Sequence, residues 1–242
     1  MARALVSFLS DYGHEDEFVG VCHGVIARRC PDARIIDITH EIPRGDIRRG
    51  ALVLADALPY MPAGVHLAVV DPGVGGARDA IVVQADGRSF VGPDNGLFSI
   101  VWQRGQRASC QRILWRPKRL SRSFHGRDLF APVAAALATR VPRGWLEPKG
   151  RPDVRLPAED LAQVIYIDHY GNAMTGIRAA SVSPKSKMRA SARTVGRADT
   201  FEAARAPFWY ENSLGLVEIA APRASAAARL GLKVGSPIRL SK

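Results

Sequence analysis

The chain has 242 residues, 47% hydrophobic and 24% charged, with 34 basic against 23 acidic side chains and a formal net charge of +11. That length allows one large domain or two small ones with a substantial core, and the composition is that of a soluble globular protein. No apolar run approaches a membrane span, and MARALVSFLSDYG reads as a first strand rather than a signal peptide, since its apolar run ends in Asp11 with no small-residue cleavage site behind it.

In chain order, ALVSFLS (4–10) predicts a strand and DEFVGVCHGVIARR (16–29) a helix with Phe18, Val21, Val25 and Ile26 on one face. RIIDITH (34–40) is a second strand, DIRRGALVLADALPYM (46–61) a second helix and VHLAVVD (65–71) a third strand. This β-α-β-α-β order implies a parallel, right-handed α/β sheet. IVVQADGRSFVG (81–92) predicts a hairpin turning at Asp86-Gly87, and DLFAPVAAALATRV (128–141) a helix after a short loop. VPRGWLEPKGRPDVRLP (141–157), dense in Pro, Gly and Arg, reads as a linker between an N-terminal α/β domain at 1–150 and a smaller C-terminal domain at 158–242. There VIYIDHYGNAMTGI, MRASARTVG, FWYENSLGLVEIA and SPIRLSK read as short strands between Gly-rich turns, giving a small β-barrel or sandwich.

Cys22, Cys30 and Cys110 are odd in number and lack CxxC spacing, which points to a reduced, cytoplasmic protein without a structural metal site. The basic surplus is 28 Arg and 6 Lys, dispersed along a chain rich in Ala, Gly and Pro, as a GC-rich coding bias produces. Its densest stretch, RILWRPKRLSRSFHGR (112–127), reads as a solvated surface and loop; a nucleic-acid-binding protein is the alternative from a different class.

Parallel α/β sheets bind ligands at the carboxyl ends of their strands. Three predicted strands end in polar groups: Ser10-Asp11, Thr39-His40-Glu41 and Asp71. An Asp after a strand also serves as a helix cap or turn former, so Asp11 alone leaves both readings open. In VVDPGVGGARDAI (69–81) the Gly-rich turn opens with a carboxylate and lacks the Lys-Ser/Thr of a phosphate loop. Carboxylates on one rim suit a ligand with hydroxyls or positive charge. Arg78 follows Asp71 by seven residues: folded back, it would hold Asp71 ionised, but spacing alone favours one solvated arginine among many. SFHGRDLFAP (123–132) offers His125 in a constrained loop, with Asp128 a natural helix N-cap, and GPDNGLF (92–98) is a turn and cap by composition. These residues outline an acidic rim with one His and one Arg. They name no reaction.

Together, SDYGHEDEFVG, DITHEIP, VVDPGVGG with its following Arg, GPDNGLF, FHGRDLFAP and IDHYGN stand in an order that resembles the S-adenosyl-L-methionine hydrolases (adenosine-forming), also called SAM hydroxide adenosyltransferases, relatives of the fluorinases and chlorinases. The resemblance implies an N-terminal α/β domain joined to a C-terminal β-barrel. It implies a homotrimer with active sites between the N-terminal domain of one subunit and the C-terminal domain of the next. The implied reaction is attack of water or hydroxide on the ribose C5′ of S-adenosylmethionine, with methionine leaving and no cofactor or metal. Asp71, Arg78 and His125 match the catalytic set. Asp11 matches the ribose-binding residue, with Asp16 in the same loop, and Asn95 joins the substrate-binding set. Asp168 would bind the methionine ammonium, Asn172 the adenine, and Tyr170 and Met174 would flank the purine. Asn212, Ser213 and Glu218 of YENSLGLVEIA are further substrate contacts, although halogenases carry Arg where this chain has Leu214. Halogenase activity is the near alternative, disfavoured because Asp71 would repel a halide.

Overall fold

The computed structural model describes residues 4–156 and 160–241. The chain divides into two compact units, Met1–Ala158 and Glu159–Lys242. The first is built on a seven-stranded sheet in the order β2-β1-β3-β5-β4-β6-β7, formed by β1 (Leu5–Ser10), β2 (Arg34–Thr39), β3 (Val65–Val69), β4 (Ala80–Ala85), β5 (Arg88–Pro93), β6 (Ser109–Ile113) and β7 (Leu146–Pro148). The pairs β1–β2, β1–β3 and β3–β5 are parallel, while β4, β6 and β7 join antiparallel. Strands β1 and β3 are central and buried on both faces, and their buried polar residues Ser7 and His66 pair with each other at 2.6 Å. Helices α1 (Phe18–Arg29) and α4 (Ala131–Ala138) pack together against the sheet through Cys22, Ile26, Val133 and Ala134, with Val6, Phe8, Leu67 and Val69 beneath. Helix α2 (Ile47–Ala57) is capped by Asp46, which accepts from Arg49 N at 3.0 Å, and packs with α3 (Ser99–Arg104).

The hairpin turns at Asp86-Gly87 as expected, both in the left-handed region (φ 49° and 76°) that a two-residue turn requires. Three readings are corrected. The buried face of α1 is Val19, Cys22 and Ile26; Phe18, Val21 and Val25 are only partly covered, and Phe18 packs edge-on with Phe124 and tilted against Tyr12 instead. The predicted linker is part of the first unit over its described residues. β7 pairs with β6, Trp145 stacks on Trp115 at 4.4 Å, and Lys149 reaches Asp79 at 2.6 Å, so Pro and Gly there shape an edge strand. The helix after His125 opens with a π-helical turn, Gly126–Phe130, so Asp128 lies inside it and not at its cap. Asp128 pairs with Arg127 and accepts from Ser121 N at 2.8 Å.

The second unit is one sheet of seven strands, ordered β14-β10-β11-β12-β13-β9-β8: β8 (Leu161–Ile167), β9 (Ala173–Arg178), β10 (Lys187–Ala190), β11 (Arg193–Arg197), β12 (Phe208–Glu211), β13 (Leu216–Ala220) and β14 (Ile238–Ser241). A Gln163–Pro237 bridge and the Val164 N→Ser236 O bond (2.9 Å) bring the two ends together, making it nearly closed and barrel-like. Its core holds Met188, Trp209, Val217 and Ile219, and α5 (Ala226–Leu230), which the sequence reading did not anticipate, contributes Ala226 and Leu230. Alternation of buried and exposed residues along β10 is the pattern of a strand with one face to the core, whereas β11 buries only Val195.

Candidate active site

At the carboxyl end of β3 the chain turns through Asp71–Gly76, closed by Val74 N→Asp71 O (3.2 Å) and Gly76 N→Gly73 O (3.0 Å). The turn brings Arg78 back onto Asp71. Arg78 Nε donates to both carboxylate oxygens at 3.1 and 3.0 Å, and Nη2 closes a second contact to Oδ2. The two side chains are only 12% and 5% exposed, so this is a desolvated ion pair rather than a surface one. The face of Phe130 lies 5.2 Å from the guanidinium carbon, fixing its plane.

The same Nη2 lies 2.8 Å from His125 Nδ1. A guanidinium can only donate, so Nδ1 accepts and the imidazole proton belongs on Nε2. Burial, and then the Arg78 charge, hold the His125 pKa below its usual 6.5, keeping the ring neutral at pH 7; Asp71 and the Ser121 backbone pull the other way. Gly75, at φ +78°, explains how the His125 loop comes so close: a Cβ there would stand 2.3 Å from the Arg122 carbonyl oxygen. The glycine admits the 121–125 loop against the turn.

Asp11 follows β1 on the same rim. Its Oδ2 accepts from Gly45 N at 2.8 Å, and burial with the Asp71 charge nearby raises its pKa, partly offset by the Gly45 bond. Asn95 sits beside Asp71: its Nδ2 donates to Val70 O at 2.8 Å and its Oδ1 accepts from Leu97 N at 3.3 Å, so its amide ties the rim backbone. Asp16 is exposed in the loop before α1. The structure therefore brings Asp71, Arg78 and His125 into direct contact, with Asp11 and Asn95 adjacent.

In the second unit a cavity of about 640 Å³ is lined by Asp168, Tyr170, Asn172, Phe201, Tyr210, Ala221, Arg223, Ala224 and Ser225. Asp168 accepts from Asn172 N and Asn172 Nδ2, both at 2.8 Å, which closes the β8–β9 turn and orients both polar groups. Tyr170 is 77% exposed, an aromatic face left open at the cavity wall. Glu218, buried, accepts from Tyr210 Oη at 2.6 Å and Asn212 Nδ2 at 2.8 Å, while Asn212 Oδ1 caps Leu214 N and Leu216 N at 3.0 Å. Met174 pairs in register with Glu218, and Ser213 is exposed.

Two family models match the chain: the SAM hydroxide adenosyltransferase N-terminal domain over residues 6–145 and the C-terminal domain over 162–239. The chain belongs to this family. An (R)-S-adenosyl-L-methionine hydrolase from Salinispora arenicola is 43% identical over 98% of this chain and 97% of its own, and one from Thermus thermophilus is 40% identical over 97% and 98%. A fluorinase from Actinopolyspora mzabensis is more distant, at 25% identity over 100% and 98%. Among solved structures, a conserved protein from Thermotoga maritima superposes with TM-score 0.88 at 32% identity, covering 98% of this chain and 100% of that one.

Several residues beside the candidate groups carry little signal in the sequence. Tyr210, Phe201 and Arg223 line the cavity, and Phe130 backs Arg78. Only Tyr210 carried a usable signal: pairing FWYE with LVEIA as a hairpin sets Tyr210 opposite Glu218, as observed.

Proposed function

We propose that this protein hydrolyses S-adenosyl-L-methionine to adenosine and L-methionine, taking the (R)-sulfonium epimer named for its 40–43% identical relatives. The observation that carries the reading is the buried Asp71–Arg78–His125 chain at the end of a central strand, in a member of this family. Water oxygen bonds to ribose C5′ as the C5′–S bond breaks. The bonding pair moves to sulfur, discharging the sulfonium to a neutral thioether, and the water's proton passes to Asp71 and then to solvent. Because the leaving group is already cationic, catalysis must chiefly orient a desolvated water in line with the C5′–S bond. Asp71 accepts that water's hydrogen bond. Arg78 holds both carboxylate oxygens in place and so fixes the direction from which Asp71 accepts. Neutral His125 fixes Arg78 through Nδ1.

Asp11, with Asp16 in the same loop, binds the ribose hydroxyls, since one carboxylate can accept both O–H groups of a diol. Asp168 takes the methionine ammonium, Asn172 reads the adenine, and Tyr170 and Met174 flank the purine. Asn212, Ser213 and Glu218 complete the cradle, and Asn95 shapes the rim. The complete site forms in a homotrimer, between the first unit of one subunit and the second unit of its neighbour. The chemical step uses no cofactor. Three free, buried cysteines support a reducing, cytoplasmic setting, and no helix among the described residues is long and apolar enough to cross a membrane.

Chromatographic assay of adenosine and methionine from each sulfonium epimer, with and without chloride or fluoride, tests this. Adenosine formed independently of halide is expected. A 5′-halogenated nucleoside as the main product would overturn hydrolysis in favour of the halogenase reading, which Asp71 argues against by its charge.

A further inference from the structure

A second polar cluster lies where α1 and β2 meet. His23, on α1, has Nε2 2.9 Å from Asp37 Oδ1 on β2, and His40, just past β2, has Nε2 3.1 Å from the same oxygen. The three ligating atoms fall within 4.8 Å of one another. His40 is fully buried and its Nδ1 pairs with Ser10 Oγ at 2.7 Å. Its Nε2 points into the cluster, 3.1 Å from Asp37 Oδ1, without a well-formed hydrogen bond among the described residues. A buried ring nitrogen close to a carboxylate oxygen, without a well-formed hydrogen bond between them, suits two ligands placed around one cation.

The distances fit. Ligands about 2.0–2.1 Å from a tetrahedral zinc stand about 3.3 Å apart, so the observed 2.9 and 3.1 Å separations need open only slightly. We propose that His23, Asp37 and His40 form a binding site for a zinc-class divalent cation, two imidazoles and one carboxylate, with water or the nearby His14 in the remaining position. The His14 ring centroid is 5.2 Å from that of His40. Imidazole donors select such ions over magnesium or calcium, which prefer all-oxygen shells. His23 and Asp37 side chains are 31% and 36% exposed, which leaves an entry path. His23 would bind the ion as a neutral imidazole through Nε2, exchanging its contact with Asp37 for the metal bond.

By contrast, Asp79, Asp94 and Asp153 also converge, but Lys149 Nζ stands among them at 2.6, 3.5 and 2.7 Å and supplies the cation itself. At the His cluster the ion would tether the strand ends around Asp11, because Ser10 Oγ meets His40 Nδ1 and Gly13 N donates to His40 O at 2.8 Å.

The test is metal uptake, independent of hydrolysis. Chelator-stripped protein is titrated with Zn²⁺ against a chromophoric chelator, and with Co²⁺ in the visible range. One ion per chain at micromolar affinity or tighter, with ligand-field bands of tetracoordinate Co²⁺, is expected. His23→Ala and Asp37→Ala, both partly exposed and so compatible with folding, should each weaken affinity at least tenfold. Wild-type affinity no tighter than millimolar, or binding unchanged in both variants, would reduce the trio to a hydrogen-bonded cluster and overturn the proposal.

Discussion

Asp71→Asn removes one negative charge while keeping the side-chain shape. In the native protein Arg78 Nε donates to both Asp71 oxygens at 3.1 and 3.0 Å, and the pair is 12% and 5% exposed. The asparagine amide leaves one acceptor oxygen and turns an NH₂ toward the guanidinium. Unpairing a buried ion costs roughly 3–5 kcal/mol, and a single hydrogen bond to a charged group contributes about 1.5–3 kcal/mol. Arg78 retains the Phe130 face and His125 Nδ1, so a loss near the lower end, about 3 kcal/mol, is expected in the first unit. Turnover should suffer more. Without the charge that orients the water, kcat should fall about 10²–10⁴-fold, with KM changed only a few-fold because remote contacts hold the substrate. Adenosine release at saturating substrate gives kcat, and urea unfolding gives stability. A folded variant with kcat within threefold of wild type would refute the role of Asp71; raised KM at unchanged kcat would move it to binding.

Gly75→Ala forces a Cβ to within 2.3 Å of the Arg122 carbonyl at φ +78°; a loss of about 1–3 kcal/mol or more, with reduced kcat as the His125 loop is pushed away, should appear in melting and turnover assays. His66, fully buried, has its pKa lowered to about 4 by burial, so the fold favours the neutral ring. Its contribution is complete above pH 6.5 and is lost as pH falls from 6.5 toward 4, worth on the order of 3 kcal/mol; urea midpoints flat across that window would contradict it. Protonating His125 removes the acceptor for Arg78, so kcat/KM should show an acid limb below pH 6.5, and a limb at higher pH would exclude His125 as its source. Tyr210→Phe leaves a buried Glu218 oxygen without its donor; about 1–3 kcal/mol of lost stability and a higher KM with little change in kcat are expected from unfolding and steady-state kinetics.

Much of the architecture was legible because local signals agreed with it. The β1–α1–β2–α2–β3 order, the Asp86-Gly87 turn and the short barrel strands each follow from hydrophobic period or turn chemistry. Readings failed where tertiary contacts overrode local composition. Phe18 has helical spacing with the core, but an aromatic cluster with Tyr12 and Phe124 draws it aside. The Pro- and Gly-rich 141–157 stretch looked free, yet Trp145 on Trp115 and Lys149 on Asp79 pin it to the sheet. In the site, spacing favoured a solvated Arg78, since nothing local marks a turn that folds back.

The sequence by itself determined the two-part α/β-then-β plan, the rim of carboxylates and the family, because periodicity, strand-end chemistry and ordered motifs are properties of contiguous residues. Only the tertiary structure decided that Arg78 bridges Asp71 and His125, and that His23, Asp37 and His40 meet. Those contacts join residues up to 47 positions apart through strand pairing and loop packing. No local pattern encodes distances of that kind.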